Sequence, residues 1–325
     1  MLSKKSSLRA IGLAVAAMAL AVGAQISCAQ VEPTKIPCSS MLYKHTVTVD
    51  GYIFRTYLED NPTNPTDDTT CLVVTRAGKV VFRKVEEGGE FSLGQAAQPD
   101  YGVPEIAPGT DVTGRGHPEM IASYYSGGAH CCTSILLFEL EPKFQLLTTL
   151  EAGDNEMAHF EKSSKDGKFI FIRFDETFVY WHTSFAESPL PKVILKPASD
   201  EKGKLSFQLD LQRMKGRAPT DQEWTRVYLP LVRRAFAPGA AFEDYYAGSA
   251  LWGQMLDWIY QGEADWAWKL VDAVWPADNA GENEFLKDFC GQLKQSEFWP
   301  ELQPQIGNPP PACLEGIAEA AAKPK

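Results

Sequence analysis

The chain has 325 residues, 22% of them charged, and its acidic side chains outnumber the basic ones to give a formal net charge of −11. No basic run interrupts that balance, which excludes the electrostatic footprint of a nucleic-acid-binding protein. Beyond the N-terminus no apolar stretch is long enough for a transmembrane helix, and the length suits two domains of ordinary size.

Lys4, Lys5 and Arg9 precede an alanine-rich apolar run over residues 10–24. A charged start followed by an apolar run too short to span a bilayer is the pattern of a secretory signal peptide, expected here over residues 1–29. Val22 and Ala24 permit a cut before Gln25; Ser27 and Ala29 permit one before Gln30. A lipoprotein carrying its lipid on Cys28 fits less well, because Gln25-Ile26-Ser27 lacks the upstream leucine. The expected location is periplasmic or secreted, and loss of the leader's three positive charges takes the net charge from −11 to −14.

Strand signals dominate residues 38–215. Segments such as YIFRTYL (52–58), CLVVTR (71–76), MIASYY (120–125), TSILLFEL (133–140), KFIFIRF (168–174) and KVILKP (192–197) are short and rich in β-branched and aromatic residues. Asp50-Gly51, Ala77-Gly78, Gly88-Gly89, Asp166-Gly167 and Lys202-Gly203 supply turn chemistry between them. The fold class expected is α+β and multidomain: an antiparallel β domain, sandwich or propeller-like, followed by a small α-helical domain.

The helical domain is expected over residues 219–300. Thr220 or Asp221 caps a helix through residues 224–236, which Pro230 kinks or breaks. Residues 241–261 and 264–275 read as two amphipathic helices joined at Gly262-Glu263, and residues 283–295 as a third. Trp252, Trp258, Trp266, Trp268 and Trp275 crowd this region, as bulky core of a bundle or as one helix pair of the tetratricopeptide type. Residues 301–325 read as a Pro- and Ala-rich tail held by Cys313.

Cys38, Cys71, Cys131, Cys132, Cys290 and Cys313 remain after removal of Cys28, an even set in an exported protein. Cys290 and Cys313 stand alone near the C-terminus and are expected to pair, contributing roughly 3 kcal/mol. The other four admit two arrangements. In one, Cys38 pairs with Cys71 and the neighbours Cys131 and Cys132 close a strained vicinal ring. In the other, favoured slightly on geometry, Cys131 and Cys132 point to opposite faces of a strand and each captures one of Cys38 and Cys71.

The most distinctive segment runs from Asp111 to Glu119, followed by a strand and then Gly127-Gly128-Ala129-His130-Cys131-Cys132. Short loops that wrap a hard cation place oxygens at positions one, three, five and nine and glycine at six. Asp111, Thr113 and Glu119 occupy positions one, three and nine, with Gly116 at six, which makes them candidate calcium ligands. Arg115 stands at position five, where an oxygen ligand belongs. The alternative is that the loop keeps its tight turn and Arg115 replaces the ion by pairing with Asp111.

This D-x-x-G-x-G-x-x-E loop leading into a strand resembles the FG-GAP or VCBS repeats of integrin-type propellers and bacterial surface proteins. A second, decayed copy is suggested at residues 161–175, with Asp166-Gly167 near the equivalent turn. SGGAHCC (126–132), YWHTSFAESPLPKVILK (180–196) and LWGQMLDWIYQGEADWAWKLVDAVWP (251–276) are together similar to a group of bacterial exported proteins without assigned activity. The resemblance implies a propeller-like or sandwich domain used for binding, and it implies no catalytic residues.

His130 beside Cys131 invites a cysteine-nucleophile reading, but adjacent strand residues point apart, and disulfide-bonded cysteines are not nucleophiles. His117, His159 or His182 would have to supply the base. Zinc on His130, Cys131 or Cys132 conflicts with the usual ligand spacing. The pairs Glu151 with Asp154 and Asp175 with Glu176 suggest a glycosidase only where their separation suits. The binding reading rests on Gly127, Gly128 and His130 with Tyr125 and Trp181 as a polar-aromatic surface, suited to a protein, peptide or glycan. The expected function is a non-enzymatic binding protein; the alternative is a hydrolase acting on envelope polymers.

Overall fold

Twelve strands form among the residues that the computed structural model describes, which are 38–59, 69–95, 103–128, 131–153, 158–200, 204–230, 248–275 and 281–322. The expected leader over residues 1–29 lies outside them. Sheet 1 comprises β1 (Leu42–Val49), β2 (Tyr52–Leu58), β3 (Thr69–Arg76) and β4 (Lys79–Glu87). Sheet 2 comprises β5 (Glu90–Leu93), β6 (Glu119–Gly128), β7 (Cys131–Glu139) and β8 (Gln145–Gly153). Sheet 3 comprises β9 (His159–Lys162), β10 (Phe169–Phe174), β11 (Lys192–Ser199) and β12 (Leu205–Leu209). Each is an antiparallel meander in which sequence neighbours are sheet neighbours. Asp50-Gly51 closes β1 onto β2 with both residues at positive φ, as a two-residue hairpin turn requires.

The side chains of sheet 2 show how the sheets are layered. Along β6 and β7, Met120, Ala122, Leu136 and Phe138 join the core shared with Tyr52, Phe54, Leu72 and Val74 of sheet 1. Ile121, Ile135 and Leu137, the residues between them, join the core shared with Phe160, Phe171 and Val193 of sheet 3. Period-two alternation therefore sends both faces of sheet 2 into apolar surroundings, which is why residues 135–138 read as an unbroken apolar run. Phe138 anchors the first interface, perpendicular to Phe54 at 5.5 Å and to Phe82 at 5.0 Å. Among the described residues neither a closed barrel nor a closed propeller forms.

Among the described residues seven helices follow the strands: α1 (Leu211–Met214), α2 (Asp221–Glu223), α3 (Ser249–Tyr260), α4 (Ala264–Val274), α5 (Glu282–Leu293), α6 (Trp299–Leu302) and α7 (Pro311–Ala322). A π-helical turn over Trp224–Tyr228 continues α2, whose start is held by Thr220 and Glu223 in a reciprocal capping box. Apolar residues of α3, α4 and α5 share one core cluster with sheet 3, so strands and helices bury a common interior. Trp181, in the link from β10 to β11, meets Trp252 of α3 at 5.1 Å, nearly perpendicular. Asp175, 2% exposed, holds this junction. Its Oδ1 accepts from the Thr177 N–H and hydroxyl, and its Oδ2 accepts from the Ser296 hydroxyl at 2.5 Å and from Tyr260.

The segment expected as a tail is instead the helix α7. Pro311 sits at its start, where a missing N–H costs nothing, and alanine fills its last turns. Cys313 of α7 is bonded to Cys290 of α5, as expected. The split arrangement for Cys38 and Cys71 does not form, because these two bond to each other. Cys38 lies in a short turn before β1, and the end of β2 pairs with the beginning of β1 on one side and the beginning of β3 on the other, which brings Cys71 within 5.8 Å of Cys38 between Cα atoms. Cys132 is disulfide-bonded too. No helix among the described residues is long and apolar enough to cross a membrane.

Candidate functional site

The Asp111–Glu119 segment forms the end of the β5–β6 connection. Asp111 accepts hydrogen bonds from the backbone N–H groups of Arg115 at 3.1 Å and Gly116 at 2.8 Å. Glu119 is 2% exposed. Its Oε2 accepts from the backbone N–H groups of Val112 and Thr113 at 2.8 and 3.0 Å, and its Oε1 accepts from the Thr113 hydroxyl. Desolvation outweighs these bonds and raises the Glu119 pKa, and the nearby Asp111 charge adds to that.

Arg115 does not take the place of an ion beside Asp111. Its guanidinium reaches Glu139, which stands opposite Glu119 in the β6–β7 register, at 3.3 Å. Gln145 donates to the other Glu139 oxygen at 2.6 Å. The expected calcium ligands Asp111, Thr113 and Glu119 thus come together, but their oxygens are engaged by the loop's own donors, and this arrangement does not fit a cation cage. No group of three or more His, Cys, Asp or Glu side chains positioned for a metal occurs among the described residues.

Each sheet joins its first two strands by a loop on this same side. An added Cβ on Gly109 of the β5–β6 loop would lie 3.5 Å from Val49 and 3.8 Å from the Asp50 carboxylate at the β1–β2 turn. On its other flank the β5–β6 loop and the β9–β10 turn line one cavity of about 590 Å³. Thr110, Asp111 and Gly114 form one wall; Lys162, Asp166, Lys168 and Phe169 form another; Lys196, Pro197 and Arg213 complete it. Arg213 is fixed there by Asp166 at 2.5 Å and by Asp210, the N-cap of α1. The hydrogen bond between Arg213 and Asp166 lowers the pKa of Asp166 and raises that of Arg213.

Lys162, Lys168 and Lys196 are exposed around this cavity and form no ion pair among the described residues. Arg213 also lines a second cavity of about 210 Å³ with Lys192, Ile194, Met214, Asp257 and Gln261. Asp257 is exposed as a residue, yet its carboxyl is crowded enough for desolvation to raise its pKa. In a chain of net charge −11, this is a local concentration of cations.

The expected polar-aromatic residues lie elsewhere. Tyr125, Gly127 and Gly128 occupy the far part of β6, about 20 to 30 Å from Glu119 along a ten-residue strand. Here the β4–β5 turn presses on β6: a Cβ on Gly89 would fall 1.9 Å from the Tyr125 carbonyl, and one on Gly127 would fall 3.6 Å from Gly89. Trp181 is 8% exposed and packs on Phe178, Trp252 and Phe289, so it is core rather than surface. His130 lies outside the described residues. The sulfur of Cys132 is tied up in its disulfide, and Asp175 is consumed by its buried hydrogen bonds. Lys162, Lys168, Lys196 and Arg213 were absent from the sequence expectations, although three lysines within seven residues flanking Asp166-Gly167 are a visible signal in an acidic chain. Comparison with family models, curated proteins and solved structures finds no match to the chain.

Proposed function

We propose that this is an exported, non-enzymatic binding protein of the periplasm or cell surface, and that it takes its ligand in the cleft between the β5–β6 loop and the β9–β10 turn. The observation that carries this reading is the cavity of about 590 Å³ walled by loops at matching topological positions and ringed by Lys162, Lys168 and Lys196. Loops carried at one end of a rigid β scaffold are favourable places for recognition. Three stacked meanders, each with its first loop on the same side, support an open, propeller-like reading of the β region. The leader pattern at residues 1–29 and the disulfides support export.

The test is a screen of the purified, oxidised protein against arrayed glycans and peptides, repeated with Lys162→Glu/Lys168→Glu and with Tyr125→Ala. The proposal expects binding that the double variant weakens and the Tyr125 variant leaves unchanged. Binding indifferent to the lysines, or cleavage of the bound polymer, would overturn it.

A further inference from the structure

We infer that the ligand of this cleft is a linear, carboxylate-bearing oligosaccharide, an inference that rests on the cleft being the binding site. Three observations point to that chemistry. First, the cavities of about 590 Å³ and about 210 Å³ both have Arg213 in their walls, so they lie side by side, and the larger alone exceeds what a single small anion fills. Second, β11 supplies both cavities with one face of its strand. Val193 and Leu195 turn into the core, while Lys192, Ile194 and Lys196 turn outward. The two ammonium groups are thus carried on Cα atoms about 13 Å apart, with an apolar side chain between them. That alternation suits a chain whose rings offer apolar faces and whose substituents are anions. Phe169 and Pro197 add apolar surface at the wider end.

Third, β11 is an interior strand with β10 and β12 hydrogen-bonded on its two sides. Its backbone groups are already paired, so it offers no open edge to an extended peptide, the usual way a sheet captures one. Lysines, as point charges on flexible stems, meet the scattered carboxylates of a sugar chain without demanding a fixed bidentate geometry. Arg213 is already held by Asp166 and Asp210, and it acts as a fixed positive centre between the cavities.

The experiment is calorimetric titration of the exported, oxidised protein with an oligogalacturonate, its carboxyl-reduced neutral counterpart, poly-glutamate and inorganic polyphosphate. The oligogalacturonate should bind, and the neutral counterpart should bind at least about tenfold more weakly. Raising salt to about 0.5 M should weaken the acidic sugar selectively. Lys192→Glu/Lys196→Glu should cost about tenfold or more, whereas Lys79→Glu on the distant β4 should change nothing. Equal binding of the neutral sugar would overturn the acidic-ligand inference and leave the cleft in place if the groove variant still weakens it. Tighter binding of poly-glutamate or polyphosphate overturns the sugar assignment. Binding of the acidic sugar that ignores Lys192 and Lys196 overturns both the inference and the cleft.

Discussion

Removing the Glu119 carboxylate tests whether the β5–β6 loop is held by its own hydrogen bonds. In Glu119→Ala the backbone N–H groups of Val112 and Thr113, buried beside it, lose their acceptor. Each buried donor left unsatisfied costs about 1–3 kcal/mol, so a loss of about 3 kcal/mol in unfolding free energy is expected. Glu119→Gln keeps one oxygen for those two amides, and the Thr113 hydroxyl can rotate to accept from the new amide, so its cost should stay under about 1 kcal/mol. Because burial raises the Glu119 pKa, the folded protein holds this proton more tightly than the unfolded chain does. The group's contribution is therefore fully present below the ordinary value of 4.5 and is lost as pH rises through the higher folded value. The Gln variant does not titrate, so wild type should gain on it as the pH falls from neutral toward 4.5. Urea denaturation of the three proteins between neutral and acid pH measures both effects. An Ala variant within 1 kcal/mol of wild type, or a Gln variant equally damaged, would refute the hydrogen-bonded loop.

Other perturbations follow from the same geometry. Replacing Cys290 and Cys313 by serine opens a crosslink spanning 23 residues and should cost about 3 kcal/mol in denaturant unfolding; an unchanged midpoint would mean α7 is held by packing alone. Tyr260→Phe removes one of two hydroxyl donors to the Asp175 Oδ2 and should cost about 2 kcal/mol, with no loss expected only if Ser296 carries that oxygen alone. Arg217 and Thr220 hold the Glu223 carboxyl at a pKa of about 2, so Arg217→Ala should raise it in an NMR titration. Any stability from this exposed pair is present above the ordinary carboxylate value and lost as pH falls toward 2, and a Glu223 titration unchanged by the variant would sink the pairing.

Much of the β region was legible because its signals are local. The β-branched and aromatic segments at 52–58, 71–76, 133–140 and 168–174 all became strands, and Asp50-Gly51 and Ala77-Gly78 became hairpin turns. The short strands β5, β9 and β12 were illegible as separate units, since four or five residues carry too little periodicity to stand out from a loop. The tail was misread from its Pro- and Ala-rich composition, although proline at a helix start and alanine after it both favour helix, and in the fold Cys313 and Gly316 press α7 onto α5. Tyr125, Gly127 and Trp181 look alike in sequence as a polar-aromatic set. Burial separates them, since Trp181 faces the helices, and burial depends on packing that no local pattern reports.

The two ends of β6 explain why the cleft, rather than the glycine-rich turn, is the better place to look for binding. At the Gly127 end, glycines are needed because chain meets chain: the Gly89 backbone lies so close to Tyr125 that no side chain fits between them. Such glycines are accounted for by contact within the protein and require no ligand. At the Glu119 end the reverse holds. Asp111 and Glu119 are held by hydrogen bonds from within the loop, which gives it a fixed shape, while Lys162, Lys168 and Lys196 beyond it line the cavity without an ion pair among the described residues. Self-repulsion among neighbouring cations is a cost that the fold does not need for its own stability. On the proposed reading, a ligand that brings negative charge to the cleft would relieve that repulsion.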